Sequence, residues 1–187
     1  SAGEQWYYKR HLVPFGEFFP VPAVVREWMR LMNLPYSDFD AGPDDQKPLA
    51  AGGETLAPTI CYEDAYGVEQ IDIVRKSTLL VNVTNDAWFG DSSAPHQHLD
   101  ISRMRSLETG RPMLRATNDG VTALIAHDGR LLGVLPQFQP GVLTGSIMPR
   151  TGFTPYLRLG NWPVLALVYL GLAVGFAGWR MRRGDER

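Results

Sequence analysis

Two stretches of this chain have apolar patterns that fix their conformation. From Leu159 to Trp179 the sequence reads LGNWPVLALVYLGLAVGFAGW, 21 residues without a charge. A bilayer core is crossed by about 20 residues of helix. Trp162 and Trp179 bracket the run as interfacial aromatics do, and Gly171, Gly175 and Gly178 permit close approach of a neighbouring helix. The pattern predicts a transmembrane helix over residues 159–179. Residues 21–33 follow a different rule. Val21, Val24, Val25, Trp28, Met29 and Met32 recur at helical spacing and form one face, with Arg26, Glu27, Arg30 and Asn33 off it. Such a helix either packs on a core or lies on a membrane surface.

The rest of the pattern alternates between strand and helix. Residues 36–54 are rich in Asp, Gly, Pro and Ala and predict a surface loop. Residues 55–61 predict a short buried strand with an irregularity at Pro58, and 65–76 a helix. Residues 78–83, TLLVNV, predict a second buried strand. A helix over 97–109 stops at Gly110. Val121–Ala126 and Leu131–Leu135 flank an Asp128-Gly129 turn and predict a hairpin, and 141–147 one more strand. The expectation is an α/β domain with a mixed sheet over residues 1–158.

Composition and charge narrow the classes. The chain has 187 residues, 44% hydrophobic and 20% charged, with net charge −2. That suits a folded core and offers no broad basic face for nucleic acid. Arg180, Arg182 and Arg183 follow the apolar run, and basic flanks stay cytoplasmic. Residues 180–187 are therefore expected to form a cytoplasmic tail, with residues 1–158 on the other side. In a bacterium that side is the periplasm, an oxidising compartment in which an unpaired cysteine needs a reason. The one cysteine, Cys61, excludes an internal disulfide and a multi-cysteine metal site. The start at Ser1-Ala2-Gly3, without an initiator Met, points to a fragment whose upstream part is missing.

Four residues are candidates for chemistry. Cys61 closes an apolar strand, where a nucleophile is held rigidly against a cleft, but a lone cysteine is also a common inert filler. Lys9 lies among aromatics in YYKRHLVPFGE. A lysine ammonium beside a carbonyl stabilises an oxyanion, whereas an ordinary lysine snorkels on the surface. Glu17 and Glu63 are read as buried carboxylates that orient the lysine or relay protons, or else as solvated charge.

The ordered motifs LVPFGE, ICYED, NVTNDAWFG and ETGRP resemble the nitrilase superfamily of Cys-Glu-Lys amidases. The fuller pattern KRHLVPFGEFFP, TNDAWFG and PHQHLDISRMRSLETGRP, with a terminal apolar helix, resembles the apolipoprotein N-acyltransferase family within it. The likeness runs from Tyr7 to the terminal helix, and the linked order makes it specific. It implies part of a nitrilase-like αββα sandwich followed by one transmembrane helix. It also implies transfer of an acyl chain from a phospholipid donor to the α-amino group of a diacylglyceryl-modified apolipoprotein, in the bacterial inner membrane.

Carried over by motif, the resemblance makes Cys61 the nucleophile, Lys9 the catalytic lysine, and Glu17 and Glu63 the supporting glutamates. Tyr62, Trp88, Phe89, Phe15 and Pro20 are expected to line the access for lipid substrate. No cofactor or metal is expected. The family's glutamate base precedes its lysine by a long stretch. Glu4 stands too close to Lys9 to fill that role, so the base is expected in the missing amino-terminal part. A membrane-anchored amidase using water as acceptor, and a non-catalytic membrane scaffold, are the competing readings.

Overall fold

The computed structural model describes residues 3–32 and 39–185. Residues 33–38, where the predicted amphipathic helix ends and the predicted loop begins, lie outside the described residues. So do Glu186 and Arg187 of the tail.

Among the described residues six strands form one mixed sheet, in spatial order equal to chain order: β1 (Leu49–Ala51), β2 (Glu54–Ile60), β3 (Leu79–Asn85), β4 (Met113–Asn118), β5 (Ala123–Ile125) and β6 (Leu131–Val134). β2, β3 and β4 are parallel, and the outer pairings are antiparallel. Parallel neighbours need long crossovers. Helix α2 (Gly67–Arg75) makes the first and α3 (Ala94–Thr109) the second. Gly110 ends α3 in a left-handed conformation (φ 64°), the stop read from the sequence.

Because side chains alternate across a strand, register decides what each face carries. Ala57 and Thr59 of β2 share a face with Leu80 and Asn82 of β3, Met113 and Arg115 of β4, and Ala123 and Ile125 of β5. Ala57, Leu80, Met113, Ala123 and Ile125 pack with Ile71, Val74 and Leu99 from the helices to form the core. On the opposite face Leu56, Val81, Leu114 and Leu124 are half-buried and Val83 is exposed.

Several expectations need correction. Residues 49–51, inside the predicted loop, form β1. β4 was not predicted at all, because its charged Arg115 points into the core. The predicted strand over 141–147 does not form. That segment crosses the second face of the sheet instead: Leu143 packs over Gly133, and a Cβ on Gly145 would come within 2.6 Å of Leu124. The hairpin forms as expected, with Gly129 at φ 80° and Ala126 N–H donating to Arg130 O at 2.8 Å.

Helix α1 (Ala23–Leu31) buries none of its residues, with Val24 75% and Trp28 55% exposed. Among the described residues no part of the chain buries its apolar face, of which Val25 and Met29 are half-buried. The terminal apolar run is also divided differently from its predicted bounds. Leu159 ends a short helix, α4 (Pro155–Leu159), Gly160 turns the chain at φ 56°, and α5 runs from Trp162 to Asp185. Its stretch Trp162–Arg180 is long and apolar enough to cross a membrane and is unburied. α4 is stapled to the domain. Arg75 donates to Leu157 O at 2.9 and 2.6 Å, Arg111 donates to Gly152 O at 2.8 Å, and Thr154 caps α4 through Leu157 N–H at 3.1 Å.

Candidate active site

The site is built at the carboxyl ends of the parallel strands, where open α/β sheets place their ligands. β2 ends at Ile60, and Cys61 begins a tight turn over Cys61–Ala65 with φ 57°. A left-handed backbone at a residue with a Cβ costs about 1–3 kcal/mol and persists where its surroundings hold it. Cys61 is half-buried.

The surroundings that hold this turn start with Glu63, 1% exposed. Its Oε1 accepts from the N–H groups of Arg10 (2.6 Å) and His11 (3.2 Å). Its Oε2 accepts from Ile60 N–H (2.7 Å) and the Tyr7 hydroxyl (3.3 Å). One carboxylate thus clamps segment 7–11 to the strand end. Burial, with the Glu63 charge adding to it, pushes the Tyr7 phenol up to about 12.

The clamp sets Lys9 beside the turn. Its ammonium donates to both oxygens of Glu17 at 2.7 Å and lies 5.5 Å from the centroid of the Tyr62 ring. Glu17 also accepts Val13 N–H at 2.8 Å, because the Pro14–Phe18 turn folds back on Val13 O. The Tyr62 hydroxyl donates to Leu12 O at 2.9 Å, and burial raises its phenol pKa. Of the residues expected in the site, Cys61, Lys9, Glu17, Tyr62 and Glu63 therefore meet at the end of β2. Trp88 and Phe89 lie on the turn after β3, 86% and 48% exposed. Phe15 and Pro20 are exposed on the turn beyond Lys9, with Phe15 edge-on to Phe19.

Residues 3–156 match the carbon-nitrogen hydrolase family. The chain belongs to that family. It is 50% identical over 92% of its length to an apolipoprotein N-acyltransferase of Methylococcus capsulatus, of which it covers 33%. It is 51% identical over 94% to one of Nitrosomonas europaea, of which it covers 35%. The chain thus spans about a third of the length of these curated relatives. A solved nitrilase-superfamily amidase from Nesterenkonia AN1 aligns with TM-score 0.46 and 24% identity over 56% of this chain and 42% of that one. As a member of that family, the chain carries a mixed α/β sheet, with an apolar helix near its carboxyl end.

Behind Cys61 lies a charged cluster that sequence reasoning missed. His98 bonds Asp86 through Nδ1 (3.0 Å) and Asp64 through Nε2 (3.1 Å). Arg115 donates to Asp86 (3.1 Å), Ser102 (2.8 Å) and Asn82 (2.6 Å), and Ser102 donates to Asp64 at 2.5 Å. Burial alone would lower the His98 pKa, but its bonds to Asp64 and Asp86 outweigh that and raise it to about 9. Two cations then face two carboxylates, so the cluster is neutral. Asp86 is held below the usual carboxylate range, its burial outweighed by His98 and Arg115. The sequence signal was an arginine in the middle of an otherwise strand-like run, with PHQH at the start of α3.

Proposed function

We propose that the chain is the carboxy-terminal portion of an apolipoprotein N-acyltransferase. On this reading the protein moves an acyl chain from a phospholipid, through a Cys61 thioester, to the amino group of a diacylglyceryl-modified apolipoprotein. The observation that carries this is the cysteine on a left-handed turn at a strand end, with a fixed Lys9–Glu17 pair against the adjacent tyrosine.

The Cys61 thiol loses its proton to a glutamate base in the part of the longer protein outside this chain. The thiolate lone pair attacks the ester carbonyl of the phospholipid, a C–S bond forms, and the carbonyl π pair moves to oxygen. The Lys9 ammonium and the Tyr62 N–H stabilise that oxyanion. Collapse breaks the C–O bond, and the departing lysophospholipid oxygen takes the proton from the base. In the second half the neutral amine of the acceptor attacks the thioester and the base takes its proton; the C–S bond then breaks, and the base returns that proton to the departing sulfur to restore the thiol. A covalent carrier lets the first product leave before the second substrate binds. Glu17 holds the ammonium in place, and Glu63 positions the segment that carries it.

Both substrates are lipids, which accounts for a tether. The 24 residues of α5 span about 36 Å at 1.5 Å per residue, enough for a bilayer core of about 30 Å. With Arg180, Arg182 and Arg183 held inside, residues 1–158 face the periplasm and the carboxyl terminus the cytoplasm. Phe15, Pro20, Trp88 and Phe89 line the acyl-chain access, together with the apolar face of α1.

The test is Cys61→Ser in the full-length enzyme. Wild type incubated with phospholipid should yield an acyl adduct that hydroxylamine cleaves, and the variant should form none and turn nothing over. Normal turnover by the serine variant would end this reading.

A further inference from the structure

The nucleophile turn is held by a side chain to which neither the family resemblance nor the proposed chemistry gives a part. We propose that Asn82, oriented by the buried Arg115, is a positioning residue that aims the Tyr62 N–H at the reacting carbonyl. The proposal rests on the thioester reading above and adds to it the device that sets the oxyanion donor.

Asn82 is fully buried in β3. Its Nδ2 donates to Cys61 O at 2.9 Å and to Thr59 Oγ1 at 2.9 Å, and its Oδ1 accepts from Arg115 at 2.6 Å. An arginine can only donate. The amide oxygen must therefore face Arg115, and the amide N–H groups must face Cys61. Arg115 decides which way this amide points, a choice that an asparagine alone leaves open.

Arg115 cannot turn away. It is 2% exposed and pinned by Asp86 at 3.1 Å and Ser102 at 2.8 Å, with Asp64 at 3.6 Å. Thr59, Asn82 and Arg115 are register partners on three adjacent parallel strands, so the row moves only if the sheet moves. A network serving packing alone could close on side chains, but this one ends on the backbone of the cysteine.

A trans peptide is planar, and its C=O and N–H point in opposite directions. Asn82 draws Cys61 O back toward the sheet, so the Tyr62 N–H of the same peptide points away from it, out of the strand end. The backbone at Cys61 is left-handed, with φ 57°, a conformation that relaxes unless something outside the turn holds it. Without the Asn82 bond that peptide plane keeps only the hydrogen bonding of the tight turn itself, and the N–H tilts from the oxyanion's position.

The test uses full-length enzyme with two variants. Asn82→Asp keeps an acceptor for Arg115 but sets an acceptor against Cys61 O. Asn82→Ser is too short to reach it. Two rates are measured: formation of the hydroxylamine-sensitive acyl adduct from phospholipid, and alkylation of Cys61 by iodoacetamide. Alkylation displaces iodide at carbon and creates no oxyanion. Acylation should slow about a hundredfold, the scale for one lost oxyanion donor, with the phospholipid KM within about threefold of wild type. Alkylation should change by less than about threefold.

Acylation at the wild-type rate in whichever variant melts with the wild type would overturn the proposal. Equal slowing of both reactions would also overturn it, since that marks a displaced thiol or a loosened fold. A wild-type enzyme whose Cys61 alkylates but never acylates would instead sink the underlying thioester reading.

Discussion

Glu63→Gln is the substitution that separates a clamp from a proton carrier. The carboxylate of Glu63 accepts four hydrogen bonds, three of them from the backbone N–H groups of Arg10, His11 and Ile60 and one from the Tyr7 hydroxyl. A glutamine has one accepting end. Its best orientation keeps the oxygen on Arg10 and His11 and turns the NH2 toward Tyr7, whose oxygen can accept. That leaves Ile60 N–H buried against a donor, at a cost of about 1–3 kcal/mol. The two retained bonds lose their charge assistance, about 1 kcal/mol each. The sum is about 3–5 kcal/mol, and it falls on one local contact. Segment 7–11 should therefore open about a hundred to several thousand times more often.

Hydrogen exchange of the full-length enzyme reads this directly. The amides of residues 7–13 should exchange faster by at least about a hundredfold, while those of β2 before Ile60 and of β3 keep their protection. Acyl transfer should fall in parallel, because Lys9 rides on the loosened segment. Lost activity with unchanged exchange over residues 7–13 would refute the clamp and move Glu63 into the proton chemistry.

Other consequences can be checked independently. His98 has its pKa raised from 6.5 to about 9 in the folded state. Its stabilising contribution, a few kcal/mol, is therefore complete below about pH 6.5 and is lost as pH rises through about 9; wild-type melting should fall over that window, and that of His98→Asn should stay flat there, so parallel profiles would refute the charged state assigned to the cluster. Trp28→Glu at the exposed face of α1 should leave the melting temperature within the scatter of surface changes and weaken binding to phospholipid vesicles; a large melting loss would return the helix to core packing. A thiol reporter after Arg187 should be protected from an impermeant label in intact cells and one near Gly42 labelled, and the opposite pattern would invert the orientation read from Arg180, Arg182 and Arg183.

The parts of the fold that could be read from the chain are those whose cause is local. The apolar run of α5, the face of α1, the Asp128-Gly129 turn and the glycine after α3 each carry their reason within a few residues. What escaped was decided at a distance. β4 reads MLRATN, and an arginine inside a strand argues for an exposed edge until Asp64 and Asp86 are known to wait behind it. The strand expected over 141–147 had the right residues, but it found a sheet face to cover rather than an edge to pair with. Glu63 was legible as a buried carboxylate. Its four partners were not, because three of them lie more than fifty residues away in the chain.

The charged cluster raises a question of cost that bears on what the domain is for. Asp64, Asp86 and Arg115 are almost wholly buried and His98 nearly so. An apolar set of the same volume is often as stable as a buried ion network, or more so. Stability is then a poor reason for four charges under one turn. Direction is a better one. Packed hydrocarbon tolerates small rotations, whereas a donor-only guanidinium between three acceptors fixes angles as well as distances. The cluster gathers on the Cys61–Ala65 turn: Asp64 lies in the turn itself, β3, which Asp86 follows, and α3, which carries His98 and Ser102, pack against it, and Arg115 reaches Asp64 from β4 at 3.6 Å. The arrangement ties the end of the sheet, the crossover helix and the nucleophile turn into one rigid corner. On the proposed thioester reading, that corner is what would keep the reacting carbonyl in register with its oxyanion donors.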